Sequence, residues 1–150
     1  MGNSVLVDPI SELTRQILTD FPTITVVGLS ADPVKSAHSV PAAMQAYGWR
    51  IIPVNPHADE LLGERVYRTV ADVPEQVEFV NVFRPSAQTP DIVRQAVAVG
   101  AKAVWLQLGI ASAEAREIAE SNGLLYVEDR CIAVERARHA IHGPSVSASS

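Results

Sequence analysis

Five short apolar runs rich in β-branched residues recur along the chain, and between them the apolar residues repeat at helical spacing. The runs are residues 23–29 (TITVVGL), 50–54 (RIIPV), 77–83 (VEFVNVF), 103–108 (AVWLQL) and 124–127 (LLYV). A strand that is apolar on both sides of its pleat belongs in a sheet covered on both faces. Connecting segments of roughly 10–15 residues suit right-handed helical crossovers between parallel strands. The chain is therefore predicted to be α/β: a Rossmann-like, doubly wound, mainly parallel five-stranded sheet with helices on both faces.

Local punctuation supports the helices. Asp8-Pro9 opens the first one, with Asp8 as N-cap and Pro9 at the first helical position, and Ile10, Leu13, Ile17 and Leu18 follow at helical spacing. A second helix covers about residues 39–47 and stops at Gly48. Pro41 must then sit in its first turn, which puts the helix start between Ser36 and Ser39. Pro53 removes a ladder donor and argues for an edge or interrupted position. Residues 59–71 read as a loop with short structure. Thr89-Pro90-Asp91 and Ser112 cap two further helices, closed by Gly100 and Asn122-Gly123, and a last helix runs over about residues 132–140. The expected organisation is an N-terminal helical segment, 1–22, packed on a single domain, 23–140, with a small-residue mobile tail, 141–150.

Composition removes several classes of function. A chain of 150 residues with a net charge of −5 and no basic run is a poor binder of nucleic acid. With the one cysteine, Cys131, neither an internal disulfide nor a cysteine-based zinc cluster can be built. No run approaches the ~20 apolar residues of a membrane span, and the N-terminus lacks the basic region of a secretory signal. A cytoplasmic protein without a membrane or nucleic-acid partner is expected.

In a doubly wound sheet the ligand sits beyond the carboxyl ends of the strands, so five segments are candidates before any motif is considered. The first, residues 28–39 (GLSADPVKSAHS), starts with a glycine that permits close backbone approach. It supplies hydroxyls from Ser30, Ser36 and Ser39, a cation from Lys35, and the N–H groups of a helix start. It reads as a phosphate loop or as a long loop with polar filler. It is not a G-x-G-x-x-G loop, because only Gly28 is present.

The second segment is Asn55-Pro56-His57, where a dinucleotide-binding unit would place an acid for the ribose hydroxyls. The absence of an acid leans toward a ribose bearing a phosphate, although Asn-Pro is equally a simple turn. Arg84-Pro85 follows the third run directly, and Arg84 suits either a phosphate or a structural ion pair. Gln107, followed by Gly109 and Ile110, brings an amide into an apolar strand, where it can hold a ligand amide or a neighbouring loop. Residues 129–131 close the fifth run. Catalytic arrangements are sparse. His38 with Asp32 is a candidate base, though capping or ligand contact is the simpler role. Cys131 reads as a small packing residue, His139 and His142 as a weak metal pair, and Trp49 and Trp105 as packing.

These strand ends resemble the small stand-alone CoA-binding proteins of bacteria. The resemblance is carried by Gly28-Leu29-Ser30, Pro33, Lys35, His38-Ser39-Val40 and Gly48-Trp49-Arg50. It continues through Pro53-Val54-Asn55-Pro56, Leu62-Gly63, Tyr67 and Val80 to Arg84. It ends with Gly100-Ala101-Lys102, Trp105-Leu106-Gln107, Gly109-Ile110 and Glu128-Asp129-Arg130-Cys131. The family is similar to the CoA-binding N-terminal domain of the succinyl-CoA synthetase alpha subunit, and the match runs in order from about residue 23 to 138.

The resemblance implies coenzyme A as ligand. Gly28, Ser30, Pro33, Lys35, Ser36 and the helix start, with His38, Ser39 and Val40, would hold the pyrophosphate. Asn55, Pro56 and His57 would lie near the adenosine 3′-phosphate. Arg84 and Pro85 would border adenine and ribose, and Gln107, Gly109 and Ile110 would line the pantetheine path. The family often has Pro-Ser before the histidine, whereas this chain has Ser36-Ala37, so backbone contacts carry the expectation there. The catalytic phosphohistidine of the synthetase lies in a domain that does not match this chain. The resemblance implies binding without an identified reaction; a small acyl-CoA- or NAD-dependent enzyme, or a docking subunit of a CoA ligase-type complex, is the alternative.

Overall fold

The computed structural model describes residues 8–144. Five strands form one parallel sheet: β1 (Thr23–Val27), β2 (Arg50–Val54), β5 (Phe79–Val82), β6 (Ala103–Leu106) and β7 (Leu125–Val127), in the order β2-β1-β5-β6-β7. Two-residue strands β3 (Glu60–Leu61) and β4 (Glu64–Arg65) pair as a small hairpin inside the segment expected to be a loop. The helices are α1 (Pro9–Asp20), α2 (Ser36–Ala46), α3 (Thr89–Ala98), α4 (Ala113–Ser121) and α5 (Ile132–His139). This is the expected doubly wound architecture.

Alternation along the buried strands sorts the core into two layers. Ile24 and Val26 of β1, Phe79 of β5 and Trp105 of β6 pack with Ile17, Leu18, Met44 and Ile132, so α1, α2 and α5 cover one face. Val80, Val82, Val104 and Leu106 pack with Ile92, Val93, Ala115 and Ala119, so α3 and α4 cover the other. Each fully buried large side chain here contributes about 1.5–3 kcal/mol. Both tryptophans are structural posts. Trp49 Nε1 donates to the Phe21 carbonyl at 3.0 Å and Trp105 Nε1 to the Arg130 carbonyl at 2.8 Å.

Pro53 is accommodated because β2 is an edge strand. Its carbonyl accepts from Tyr67 N–H at 3.0 Å and Asn55 N–H donates to the Tyr67 carbonyl at 2.9 Å, so Pro53 turns its missing donor toward the outer side. The 66–68 segment thereby runs beside the end of β2 as a parallel bridge.

α1 begins as expected, with Asp8 accepting from Ile10 N–H at 3.0 Å. It is tied to α5 by a buried polar group: Thr14 Oγ1 donates to Glu135 Oε1 at 2.9 Å, and Arg130 and Arg138 lie 3.8 and 3.6 Å from Glu135 Oε2. Residues 141–144, the start of the segment expected to be a mobile tail, lie against the end of α2. Gly143 N–H donates to the Tyr47 carbonyl at 2.8 Å, and Arg136 stacks on the Tyr47 ring at 3.7 Å. The rest of that tail and residues 1–7 lie outside the described residues.

Candidate functional site

From β1 the chain crosses to β2 on one side, and β5 lies on the other. The crevice beyond the carboxyl ends of β1 and β5 is the topological switch point, where doubly wound sheets bind ligands. Gly28 leaves β1 there with φ +92°, facing Arg84 at the exit of β5. A Cβ on Gly28 would lie 2.8 Å from Arg84 Cδ and 2.9 Å from the Phe83 carbonyl oxygen. The close approach that requires glycine is thus made by β5 and the Arg84 stem.

The loop after Gly28 is closed by its own side chains. Ser30 Oγ accepts from Asp32 N–H and Asp32 Oδ1 accepts from Val34 N–H, both at 3.0 Å. His38 Nδ1 sits 2.7 Å from the Ser30 carbonyl oxygen. Its partner is therefore backbone, and Asp32 spends its carboxylate elsewhere, so the two form no acid–base pair.

α2 starts at Ser36, within the expected range, but Pro41 falls at its sixth residue rather than in the first turn. The reason is local. Proline leaves the Ala37 carbonyl without its helical donor, and Ser30 N–H takes that place at 3.0 Å. The break in the helical ladder is thus used to clamp the loop onto the helix. Lys35 is the N-cap and makes no side-chain cap bond; at the helix start the N–H groups of Ser36 and Ala37 have no intrahelical partner.

At the end of β2, Asn55 makes three side-chain hydrogen bonds within the protein. Its Nδ2 donates to the Leu29 carbonyl at 2.8 Å, and its Oδ1 accepts from the N–H groups of His57 (2.7 Å) and Ala58 (2.9 Å). This bonds the β2 turn to the β1 loop and leaves the exposed His57 ring and Pro56 as the outward groups. On the β5 side, Arg84 Nε donates to Gln88 Oε1 at 3.0 Å. Arg84 and Lys35 have no ion-pair partner among the described residues, so the ion pair considered for Arg84 is not made.

Two clefts share Gly28, Pro56 and Arg84. One, of 270 Å³, adds Ser30, Lys35 and Asn55 and is lined by no carboxylate. The other, of 340 Å³, lies toward α3 and adds Val54, Arg68, Thr69, Gln88, Asp91 and Gln95. Pro33, Ser36, Ser39, Val40, His57 and Pro85 surround these clefts in sequence but line neither. Arg68 belongs to the rim and carried no sequence signal.

Gln107, Gly109 and Ile110 also line neither cleft. Gln107 is 4% exposed, and its Oε1 accepts from Ile132 N–H at 3.2 Å, holding the start of α5. Gly109 N–H donates to Asp129 Oδ1 at 2.7 Å, Asp129 N–H to the Ile110 carbonyl at 3.0 Å, and Ala111 N–H to Ser86 Oγ at 3.1 Å. These bonds tie the loops after β5, β6 and β7 to one another.

A wider hollow of 460 Å³ lies at the β7 flank and contains Cys131. Of its charges, Arg116 pairs with Glu128, and Arg130 and Arg138 with Glu135, while the Asp129 carboxylate accepts from Gly109 N–H. There Tyr126 donates to Glu128 Oε1 at 2.8 Å, and burial together with that bond pushes its phenol well above the usual tyrosine range. No group of three metal-ligating side chains occurs among the described residues, and His139 and His142 bond to Thr14 and stack on Tyr47 respectively. No helix among the described residues is long and apolar enough to cross a membrane.

Comparison with known proteins finds the same fold elsewhere. YneT of Bacillus subtilis (strain 168), an uncharacterised protein, is 37% identical over 123 residues, 82% of this chain and 91% of its own length. A hypothetical protein from Pyrococcus horikoshii OT3 superposes with a TM-score of 0.83 at 35% identity, covering 92% of this chain and 98% of that one. The ADP-forming acetate–CoA ligase of Methanocaldococcus jannaschii is 21% identical over 120 residues, 75% of this chain but 17% of the ligase. The family model described as a CoA binding domain matches residues 22–137, and the chain belongs to that family.

Proposed function

We propose that this protein binds coenzyme A, or a short acyl-CoA, at the carboxyl rim of its sheet, and performs no chemistry of its own. One observation carries the reading: on a chain of net charge −5, the smaller of the two switch-point clefts is lined by Lys35 and Arg84 and by no acid. Such a cleft attracts a polyphosphate against the overall field of the protein. The fit is supported by the uncapped start of α2, whose N–H groups suit the pyrophosphate. Pro56 and the His57 ring remain for the ribose phosphate, and Arg84 with Pro85 for adenine. The stitched loops at Gln107, Gly109 and Ile110 offer a fixed surface for pantetheine. Bound, the coenzyme would supply a thiol or thioester for presentation to another protein.

Calorimetry with CoA and NAD tests the proposal, alongside native mass spectrometry of freshly purified protein. The expected result is CoA binding in preference to NAD; tighter binding of NAD overturns it. A second reading, a module that docks onto a separate catalytic chain, is favoured by the ligase relative in which the matched region is 17% of the length. Co-purification of a ligase-type chain from the native cell would support that reading.

A further inference from the structure

The turn after β2 is crossed by a guanidinium that no local pattern announces. Arg68 donates from Nη1 to the carbonyls of Asn55 (3.1 Å) and Ala58, and from Nη2 to Asp59 Oδ1 at 2.7 Å. Arginine has five N–H donors. The Nε–H and one Nη2–H of Arg68 therefore have no protein partner among the described residues. The residue lines the 340 Å³ cleft beside Pro56 and Arg84. Its position follows from the bridge of Tyr67 to Val54, which carries the 66–68 segment along the edge of β2.

We infer that Arg68 reads a phosphate on the ribose and is the residue by which this chain separates CoA from dephospho-CoA. The inference rests on the CoA reading above. The end of β2 is where a doubly wound fold meets the ribose of its nucleotide. Asn55 Oδ1 is spent on His57 and Ala58 and one Nδ2–H on Leu29, so all that side chain can offer a phosphate is one uncharged N–H. Arg84 is tethered on the β5 side by Gln88. Arg68 is anchored on the β2 side, and its two free donors suit a phosphate oxygen pair. Two acids are near: Asp91 lines the same cleft on the α3 side, and the Asp59 carboxylate is taken up by Arg68 itself. A phosphate arriving at Arg68 must share that guanidinium with Asp59. The aspartate therefore weakens phosphate binding without contacting the ligand.

The test is calorimetry of the full chain with CoA and with dephospho-CoA, together with thermal unfolding of each variant. Wild type is expected to prefer CoA by about tenfold, the worth of one charge-assisted contact. R68Q is expected to bring the two affinities together, and R68K to restore part of the difference. D59N is expected to widen the preference about threefold by removing the competing charge. An R68Q protein that unfolds with wild type and keeps the wild-type ratio overturns the inference. If R68Q is unstable, D59N decides: an unchanged ratio there overturns it. If both ligands bind wild type equally, this inference fails while the CoA reading stands. If neither binds, both fall.

Discussion

Replacing Gly28 with alanine tests whether the switch-point crevice is built by backbone contact between β1 and β5. Two costs add. At φ +92° a side chain is strained, by about 1–2 kcal/mol. The new methyl would also meet Arg84 Cδ at 2.8 Å and the Phe83 carbonyl oxygen at 2.9 Å. The arginine stem can rotate away at little cost. The carbonyl cannot, because Phe83 N–H is bonded to the Val27 carbonyl at 2.9 Å and any shift stretches that inter-strand pairing. Overpacking of that kind costs about 1–3 kcal/mol. The expected loss is therefore about 3 kcal/mol, read as a fall of roughly 1.5 M in the urea midpoint with an unchanged slope. The double variant G28A/R84A separates the contributions and is expected to recover less than about 1 kcal/mol. A loss below about 1 kcal/mol in G28A, or full recovery in the double variant, would refute the reasoning.

Three further outcomes follow from the same structure. Pro41→Ala gives the Ala37 carbonyl a helical donor that competes with Ser30 N–H, so hydrogen exchange at Ser30 should accelerate while α2 remains helical; unchanged protection of Ser30 counts against the clamp. Tyr126 is one of three tyrosines, and its raised pKa comes from burial first and the bond to Glu128 second. Its stabilising contribution is complete below the unfolded value near 10 and is lost as pH rises through the folded one. Ultraviolet titration should show one phenol resisting ionisation at about pH 11, absent in Tyr126→Phe. The Arg50 hydrogen bond lowers the pKa of Glu75 below the ordinary 4.5, so its contribution is present above that value and lost as pH falls through the folded pKa. Both partners are nearly half exposed, so the effect is under about 1 kcal/mol and fades in salt; urea midpoints of E75Q against wild type, from pH 3 to 6, check it.

The sheet was legible because its strands are buried on both faces, so 23–27, 50–54 and 103–106 read as apolar runs without a competing helical period. The caps at Asp8 and Ser112 were legible because each acts within three residues of itself. What escaped depends on partners distant in sequence. Pro41 was assigned to the first turn because a mid-helix proline orphans a carbonyl, and the donor that satisfies it comes from Ser30, outside the helix. Asn55 and Gln107 were recognisable as polar groups at strand ends, yet only the packed structure shows their amides joined to Leu29 and Ile132. Arg68 had no periodic or motif context, since its place is set by the Val54–Tyr67 bridge.

The loops at the carboxyl ends of the strands are held in two different ways. Beyond β5, β6 and β7, cross-bonds from Ser86, Gly109, Ile110 and Asp129 make one quay from three loops. By contrast, residues 30–34 are a single span moored chiefly by short turns and by the Ala37 and His38 ties. A change in any one of those three loops is therefore passed to the other two, whereas a change within 30–34 reaches the rest of the rim mainly through Ala37 and His38.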